Sequence, residues 1–134
     1  MATLSCTLTL NSASVLASPV TVSSDFSAAA DSGILSRAKV KFTAVNANAL
    51  EVYTANDKTE SAYLFLKNLD TEKEHYVYIY NSSDSNGLVA KIGGNEFCFI
   101  PVAVDKAYRV YGTHVDQMVE FGIFGLDSSA VTLA

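Results

Sequence analysis

The stretch from Ser61 to Leu126, SAYLFLKNLDTEKEHYVYIYNSSDSNGLVAKIGGNEFCFIPVAVDKAYRVYGTHVDQMVEFGIFGL, decides the fold. It contains short apolar runs that are rich in aromatic or β-branched residues and are bounded by Asn, Asp, Ser, Gly or Pro. The runs are Ala62–Leu66, Tyr76–Tyr80, Leu88–Ile92, Phe97–Ile100, Tyr108–Tyr111 and Met118–Phe124. Such runs are typical of β-strands, and no helical pattern lies between them. They predict an all-β fold, a single-domain antiparallel β-sandwich or jelly-roll-like barrel that comprises residues 1–134.

The connections between these runs also carry signals. Ala62 to Leu69 is apolar on both faces, which predicts a central strand. Gly93-Gly94-Asn95 predicts a tight hairpin between Ile92 and Phe97, because Gly and Asn tolerate a positive φ. The polar residues Ala55 to Glu60 predict a second hairpin loop, after a short strand that begins at Leu50.

The N-terminal part of the chain is less regular. Met1 to Leu10 alternates Leu or Cys with Thr or Ser, which predicts a strand that is buried on one face. No charge or proline guards the edge of this strand, so we expect it to be internal to a sheet or paired with a neighbouring subunit. Residues 11–33, with a hint of a strand at Val20 and Val22 and of a helical turn at Ala28–Ala30, predict a connector. The alternative is an arm that lies along a partner.

The composition limits the class of protein. The chain has 49% hydrophobic and 17% charged residues, whereas about 25% charge is typical, so we interpret part of its surface as covered by other subunits. A net charge of −5 argues against nucleic acid and against an anionic membrane surface. No apolar run approaches the roughly 20 residues of a membrane helix, and no basic segment marks a signal peptide. We expect no membrane partner.

Residues that bind metals are too dispersed to predict a metal centre. His75 and His114 stand singly beside strand ends, and we interpret them as satisfied or solvated. Cys6 and Cys98 are interpreted as buried free thiols, with a disulfide as the alternative. The loop Asn81–Gly87 offers calcium one carboxylate among amides and hydroxyls, which favours an ordinary polar turn.

Catalytic signals are also weak. The chain has no Gly-x-Ser-x-Gly motif, and no context suggests a Cys–His pair. Glu51, Glu96 and Glu120 are strand-borne carboxylates, but each also suits the solvated face of its strand. We therefore predict no catalytic residue, no metal and no cofactor, and a protein that is not an enzyme.

Two sets of residues are candidates for an interface. The strand from Leu35 to Val45 places three basic residues, Arg37, Lys39 and Lys41, on one face. We interpret this face as solvated, and a contact stripe for an acidic partner is the alternative. A second strand aligns Tyr76, Tyr78 and Tyr80, which suits the core or a subunit interface. The alternative for these tyrosines is a platform that stacks on sugars.

The order of elements in the second half resembles a group of small structural proteins of tailed bacteriophages. The resemblance is carried by segments that mark strands and turns. They are Leu66–Leu69, Tyr76–Ile79, Leu88–Gly94, Glu96–Pro101, Tyr108–Tyr111 and Val119–Phe124. They cover about half of the chain, and no catalytic residue of the family is carried over.

The resemblance implies a β-sandwich virion protein that decorates and stabilises the exterior of a capsid. It implies contacts with the major capsid protein and a homo-oligomer, with a trimer favoured because such cement proteins often surround local symmetry axes. The alternatives are a head–tail connector, a tail accessory protein and, from another class, a carbohydrate-binding module.

Overall fold

The computed structural model describes residues 2–13, 20–30, 32–40, 50–53, 59–81, 87–102 and 107–127. These residues form β-strands and turns and contain no helix, so the predicted all-β fold is confirmed. The strands are β1 Ala2–Ser12, β2 Val20–Ala30, β3 Ser32–Lys39, β4 Leu50–Tyr53, β5 Thr59–Asn68, β6 Val77–Tyr80, β7 Leu88–Ile92, β8 Phe97–Pro101, β9 Tyr108–Gly112 and β10 Met118–Asp127.

Strands β3 to β10 form two four-stranded antiparallel sheets that pack against each other. The first sheet has the order β3-β10-β5-β8, and the second has the order β4-β9-β6-β7. The pairing is nested, because β3 pairs with β10, β4 with β9, β5 with β8 and β6 with β7. The chain between β3 and β10 can therefore be described as one long antiparallel hairpin, whose successive strand pairs alternate between the two sheets. This is the arrangement of an eight-stranded jelly roll, which confirms the predicted antiparallel sandwich.

The core lies between the two sheets and follows the period-two alternation of the strands. Leu64 and Leu66 of β5 point into it and are fully buried, and Ile79 of β6 meets them from the second sheet. Ile123 of β10 completes this set. Strand β5 lies between β10 and β8, so its predicted central position is confirmed.

The two predicted hairpins are wrong, although residues 93–96 do form a turn. The N–H of Glu96 donates to the carbonyl of Gly93 at 3.0 Å, and Asn95 has a φ of 66°. However, this turn joins β7 of the second sheet to β8 of the first, and the segment after β4 likewise leads to a different sheet. Turn residues predict a reversal of the chain, but the packing of the core decides which sheet receives the next strand. Residues 54–58 and most of the loop 81–87 lie outside the described residues.

Strands β1 and β2 form a separate two-stranded antiparallel sheet, here called the ribbon. Its register runs from the pair Ala2 and Ala30 at the root to the pair Ser12 and Val20 at the tip. The interpretation of 11–33 as a connector is therefore wrong for Val20–Ala30, and so is the helical turn. The alternative that residues 11–33 form an arm along a partner stays a prediction. Residues 14–19 lie outside the described part of the chain.

The predictions for the first strand also need correction. Among the described strands, β1 pairs only with β2, so it is not internal to a larger sheet. Its apolar face is not buried along its length, because Leu8 is 42% exposed and Leu10 is 50% exposed. The physical reason is that the ribbon joins neither sheet of the sandwich, so only a part of its apolar face has a partner.

Candidate functional site

The outer face of the first sheet carries aromatic side chains at positions where a solvated face carries polar ones. Because successive residues of a strand point to opposite faces, the residues that alternate with the core-facing residues of β5, β8 and β10 point outward. We call this surface the aromatic face, and it consists of Leu35, Tyr63, Phe65, Phe97, Phe99 and Phe124. The register places Leu35 of β3 in the same row as Phe65 and Phe99.

The rings of the aromatic face pack on one another across the strands. Tyr63 and Phe99 are stacked, with centroids 5.8 Å apart and planes 3° apart, and Phe65 and Phe97 are tilted at 6.2 Å. A glycine opposite Phe124 makes room for its ring, since a Cβ at Gly33 would lie 2.6 Å from Phe124 Cδ1. The aromatic face is therefore a packed surface rather than a set of scattered side chains.

Part of this surface remains open to solvent. Phe97 is 57% exposed and Leu35 is 62% exposed, at the two edge strands of the first sheet. Single exposed apolar residues are common, but apolar residues on one packed face mark a surface for contacts with another molecule. The arrangement suits the burial of apolar area against a partner.

The ribbon brings a second apolar surface beside the first. The register places Leu4, Cys6, Leu8 and Leu10 on the same face as Val22, Phe26 and Ala28, and Thr and Ser residues occupy the opposite face. The ring of Phe26 contacts Tyr63 at 5.1 Å and Phe99 at 6.4 Å between centroids. The middle of the ribbon thus rests on the aromatic face, and the side chains nearer the tip do not share this contact.

The outer face of the second sheet carries the predicted tyrosines. Tyr78 and Tyr80 lie on one face of β6, and Tyr111 of β9 stacks with both, at 5.4 Å and 5.3 Å. The hydroxyl oxygens of Tyr80 and Tyr111 are 2.7 Å apart. Burial, together with this hydrogen bond, raises the pKa of Tyr111 to about 12. These rings pack against each other, which leaves less ring area for a sugar.

Tyr76 continues the row of tyrosines at the position just before β6 begins. The ammonium of Lys91 lies 4.0 Å from the centroid of the Tyr76 ring, which is a cation–π contact. Tyr111 was missed in the sequence, because its cross-strand pairing with Tyr78 depends on a register that only the folded sheet defines. The signal in the sequence that could have indicated Tyr111 was the tyrosine at each end of the run Tyr108–Tyr111.

The basic residues of β3 are neutralised within the chain. Arg37 Nε donates to Glu120 Oε2 at 3.1 Å, and Lys39 Nζ donates to Asp116 Oδ1 at 3.0 Å. Both basic side chains point outward, with 66% and 62% exposure respectively. Their partner carboxylates compete with any acidic ligand, which weakens the alternative of a contact stripe. Lys41 lies outside the described residues.

At one end of the sandwich, two histidines that are distant in sequence lie together. The rings of His75 and His114 stack with centroids 3.7 Å apart, and His75 Nδ1 is 2.8 Å from Asp70 Oδ2. The backbone N–H of Glu72 donates to Asp70, and this bond together with His75 holds the pKa of that carboxyl below its usual value. Among the described residues, no group of three or more His, Cys, Asp or Glu is placed to hold a metal ion.

Beneath the histidines, buried amide side chains bond the loop backbones. Asn68 Nδ2 donates to the carbonyls of His75 and Ile92, at 2.8 Å and 3.1 Å, and Asn68 Oδ1 accepts from the N–H of Asp70 at 3.0 Å. Gln117 Oε1 accepts from the N–H of His114 at 2.8 Å. This end of the molecule is therefore a bonded structural network, and the histidines cap it.

The three carboxylates that the sequence predicts on strands do not form a pair, and Glu96 lies in the turn just before β8. Glu51 accepts from Arg109 on the outer face of the second sheet, and Glu120 accepts from Arg37 on the outer face of the first. Glu96 Oε1 accepts from the N–H of Gly93 at 2.6 Å. Glu51 and Glu120 thus lie on opposite sides of the sandwich, so they do not have the facing arrangement that glycoside hydrolysis requires.

Both cysteines are free, as predicted, but they are half-buried rather than buried. Cys98 packs against the core from β8, and burial raises its pKa to about 11. A thiol with such a pKa is almost wholly protonated near neutral pH, which makes it a poor nucleophile.

No protein-family model, curated protein or solved structure matches this chain. Within the part of the chain that is described, no helix has the length and apolar character needed to cross a membrane.

Proposed function

We propose that this protein is a non-enzymatic structural component of a tailed-phage virion. It decorates and stabilises the exterior of the capsid through contacts with the major capsid protein and with its own copies. The observation that carries the proposal is the exposed apolar surface formed by the aromatic face and the ribbon. This surface lies on a rigid two-sheet scaffold, and its chemistry suits permanent contact with protein.

The energetics of burial support this role. Fully burying one large apolar side chain stabilises a complex by about 1.5–3 kcal/mol. Leu8, Leu10, Leu35 and Phe97 are each at least 42% exposed, so roughly half of this stabilisation is left to be gained against another molecule. A protein that binds the assembled shell but not its separated subunits stabilises the shell by mass action. The jelly roll also occurs in viral capsid proteins, although this likeness is one of fold alone.

Capsid binding tests the proposal directly. Particles of the phage that encodes the chain, purified without this protein, are mixed with it and sedimented. Wild-type protein is expected to sediment with the particles, and the variant Leu35→Asp/Phe97→Asp is expected to bind at least about tenfold more weakly. Val115→Asp is the matched control, since Val115 is 69% exposed but lies in the turn before β10, away from the aromatic face.

The outcomes separate the structural alternatives. Sedimentation of wild type and control, but not of the double variant, supports decoration through the aromatic face. No sedimentation of the wild type contradicts decoration. Quantification of the protein in intact particles distinguishes many copies over the shell from one small ring at the neck or tail.

The second candidate function is a carbohydrate-binding module, which the row of tyrosines on the second sheet favours. In that case Tyr78→Ala abolishes binding on a glycan array, and Phe97→Asp leaves it unchanged. The stacking of Tyr111 with Tyr78 and Tyr80 makes this the weaker candidate, because the tyrosine rings already contact each other.

A further inference from the structure

We propose that the tip of the ribbon docks on the aromatic face of a second copy of this chain. The tip is the part beyond Cys6 and Phe26, with Leu8, Leu10 and Val22 on its apolar face. The inference rests on the proposed function, in which the protein contacts its own copies, and it names the segments that meet.

The first step is the contact that already exists within one chain. Phe26 lies against Tyr63 and Phe99, with centroids 5.1 Å and 6.4 Å away. One residue of the apolar face of the ribbon therefore already packs on the aromatic face. A second copy offers the same pair of surfaces.

The second step is that both surfaces continue beyond this contact. On the ribbon, Leu8, Leu10 and Val22 are 42%, 50% and 46% exposed. On the first sheet, Phe97 and Leu35 are 57% and 62% exposed. About half of each of these side chains is open to solvent, so each surface has apolar area left for a partner.

The third step concerns charge. Asp25 is the only charged residue in β1 and β2, and it lies opposite Thr7 on the face of Thr and Ser residues. The apolar face of the ribbon therefore has no charge that selects a basic or acidic partner. On the first sheet, the row of Phe97 also holds Lys67, Glu120 and Arg37, and the last two form a salt bridge with each other. The proposed contact therefore joins apolar atoms beside these charges.

The fourth step is reach. From Cys6 to Ser12 the ribbon rises by six residues, or roughly 20 Å at about 3.4 Å per residue. Four strands at a spacing of about 4.8 Å make a sheet roughly 15 Å across. The tip is thus long enough to lie over the first sheet of another copy.

Analytical ultracentrifugation of the full chain tests the inference. Wild type is expected to be a homo-oligomer, and Leu8→Asp/Leu10→Asp is expected to raise its dissociation constant at least about tenfold. The matched control is Ser5→Asp/Thr9→Asp, which adds the same charge to the opposite face of the same strand, at positions that pair with Ser27 and Ser23. The control is expected to keep the wild-type dissociation constant within about twofold. Circular dichroism checks that all variants are folded.

A cross-linking experiment locates the contact. In a Cys6→Ser/Cys98→Ala background, one chain carries Leu10→Cys and another carries Phe97→Cys, and the two are mixed and oxidised. A disulfide-linked dimer of the two chains is expected, and Thr9→Cys in place of Leu10→Cys is expected to give much less.

A strictly monomeric wild type, or equal weakening by both Asp variants, overturns the inference. A monomer that still sediments with capsids overturns it and leaves the proposed function standing. An oligomer that cross-links between positions 10 and 97 but does not bind capsids supports the inference and contradicts the proposed function.

Discussion

At the residue scale, Asn68 shows how one side chain holds three segments together. It is 0% exposed, and its amide bonds the loop before β6, the end of β7 and the chain just after β5. Buried backbone groups need such partners, because an unpaired one costs about 1–3 kcal/mol. The position of this residue explains why a polar side chain stands at the end of an apolar strand.

Replacing Asn68 with Ala is expected to lower the free energy of unfolding by at least about 3 kcal/mol, because the partner groups of three hydrogen bonds lose their partner. Urea denaturation measures the change. Asn11→Ala on the exposed ribbon is the control and is expected to change it by less than about 0.5 kcal/mol. A similar small effect for Asn68→Ala would contradict the structural role of this amide.

Asp70 is expected to make the stability of the fold depend on pH in the acidic range. Its folded pKa lies below the ordinary value of 3.8, first because Glu72 N–H donates to it and also because His75 is hydrogen-bonded to it. A lowered folded pKa contributes stability above the unfolded pKa, and this contribution is lost as the pH falls through the folded value.

The melting temperature of the wild type is therefore expected to fall more steeply than that of Asp70→Asn between about pH 4 and about pH 2. Thermal unfolding followed by circular dichroism across this range gives both slopes. Parallel curves for the two proteins would show that the Asp70 interactions do not stabilise the fold.

Gly94 packs so closely against the backbone of a neighbouring loop that no side chain fits at this position. A Cβ at this position would collide with the carbonyl oxygen of Glu72 and would lie 2.9 Å from that of Asp70. At Gly122 the nearest atoms to a Cβ belong to the ring of Phe124, at 2.8 Å and 3.0 Å, and a ring at the surface can move.

Gly94→Ala is expected to destabilise the protein by about 1–3 kcal/mol, and Gly122→Ala is expected to cost less. The same urea experiment measures both variants. If Gly122→Ala proves the more damaging of the two, the assignment of the tight contact to Gly94 is wrong.

At the element scale, the ribbon is the part of the chain that is least tied to the rest. It has the alternation of a strand pair, but a two-stranded sheet is marginally stable without packing. Its described ring contacts with the sandwich are those of Phe26, and β2 also runs near β10. Its stability in one chain therefore depends on a small contact area.

Phe26→Ala is expected to release the ribbon while the sandwich stays folded, because β3 to β10 have their own core. Hydrogen exchange read by mass spectrometry is expected to show faster exchange in 2–30 and unchanged exchange in β5 and β10. Val22→Ala, which removes a more exposed side chain nearer the tip, is the control and is expected to leave exchange near that of the wild type. Uniformly faster exchange after Phe26→Ala would show that the ribbon and the sandwich unfold as one unit.

At the scale of the whole molecule, the nested pairing joins residues that are far apart in the chain. Ser32 pairs with Gly125, whereas Tyr80 pairs with Leu88 in the most local of the nested pairs. Non-local pairing requires closure of long loops before most contacts form, and proteins of this kind fold in milliseconds to seconds.

Refolding from urea is accordingly expected to take milliseconds to seconds, and stopped-flow tyrosine fluorescence suits the measurement because the chain has seven Tyr and no Trp. Refolding in microseconds would contradict the nested topology.

The sequence by itself determined the all-β class, the strands of the second half and the faces of those strands, whereas it did not predict β2. Leu64 and Leu66 alternate with Tyr63 and Phe65, and Val119, Phe121 and Ile123 share one face, because the direction of side chains in a strand has a period of two. These properties are local, so they can be read from the chain.

Only the tertiary structure decided which sheet each strand joins, and with it the surfaces that matter. It paired β1 with β2 as a ribbon, placed Phe26 on Tyr63, stacked Tyr111 with Tyr78 and brought His75 to His114. The physical reason is that sheet partner and register depend on how the whole apolar set packs. Packing brings together residues that are many positions apart, so a local sequence pattern does not predict the partner or the register of a strand.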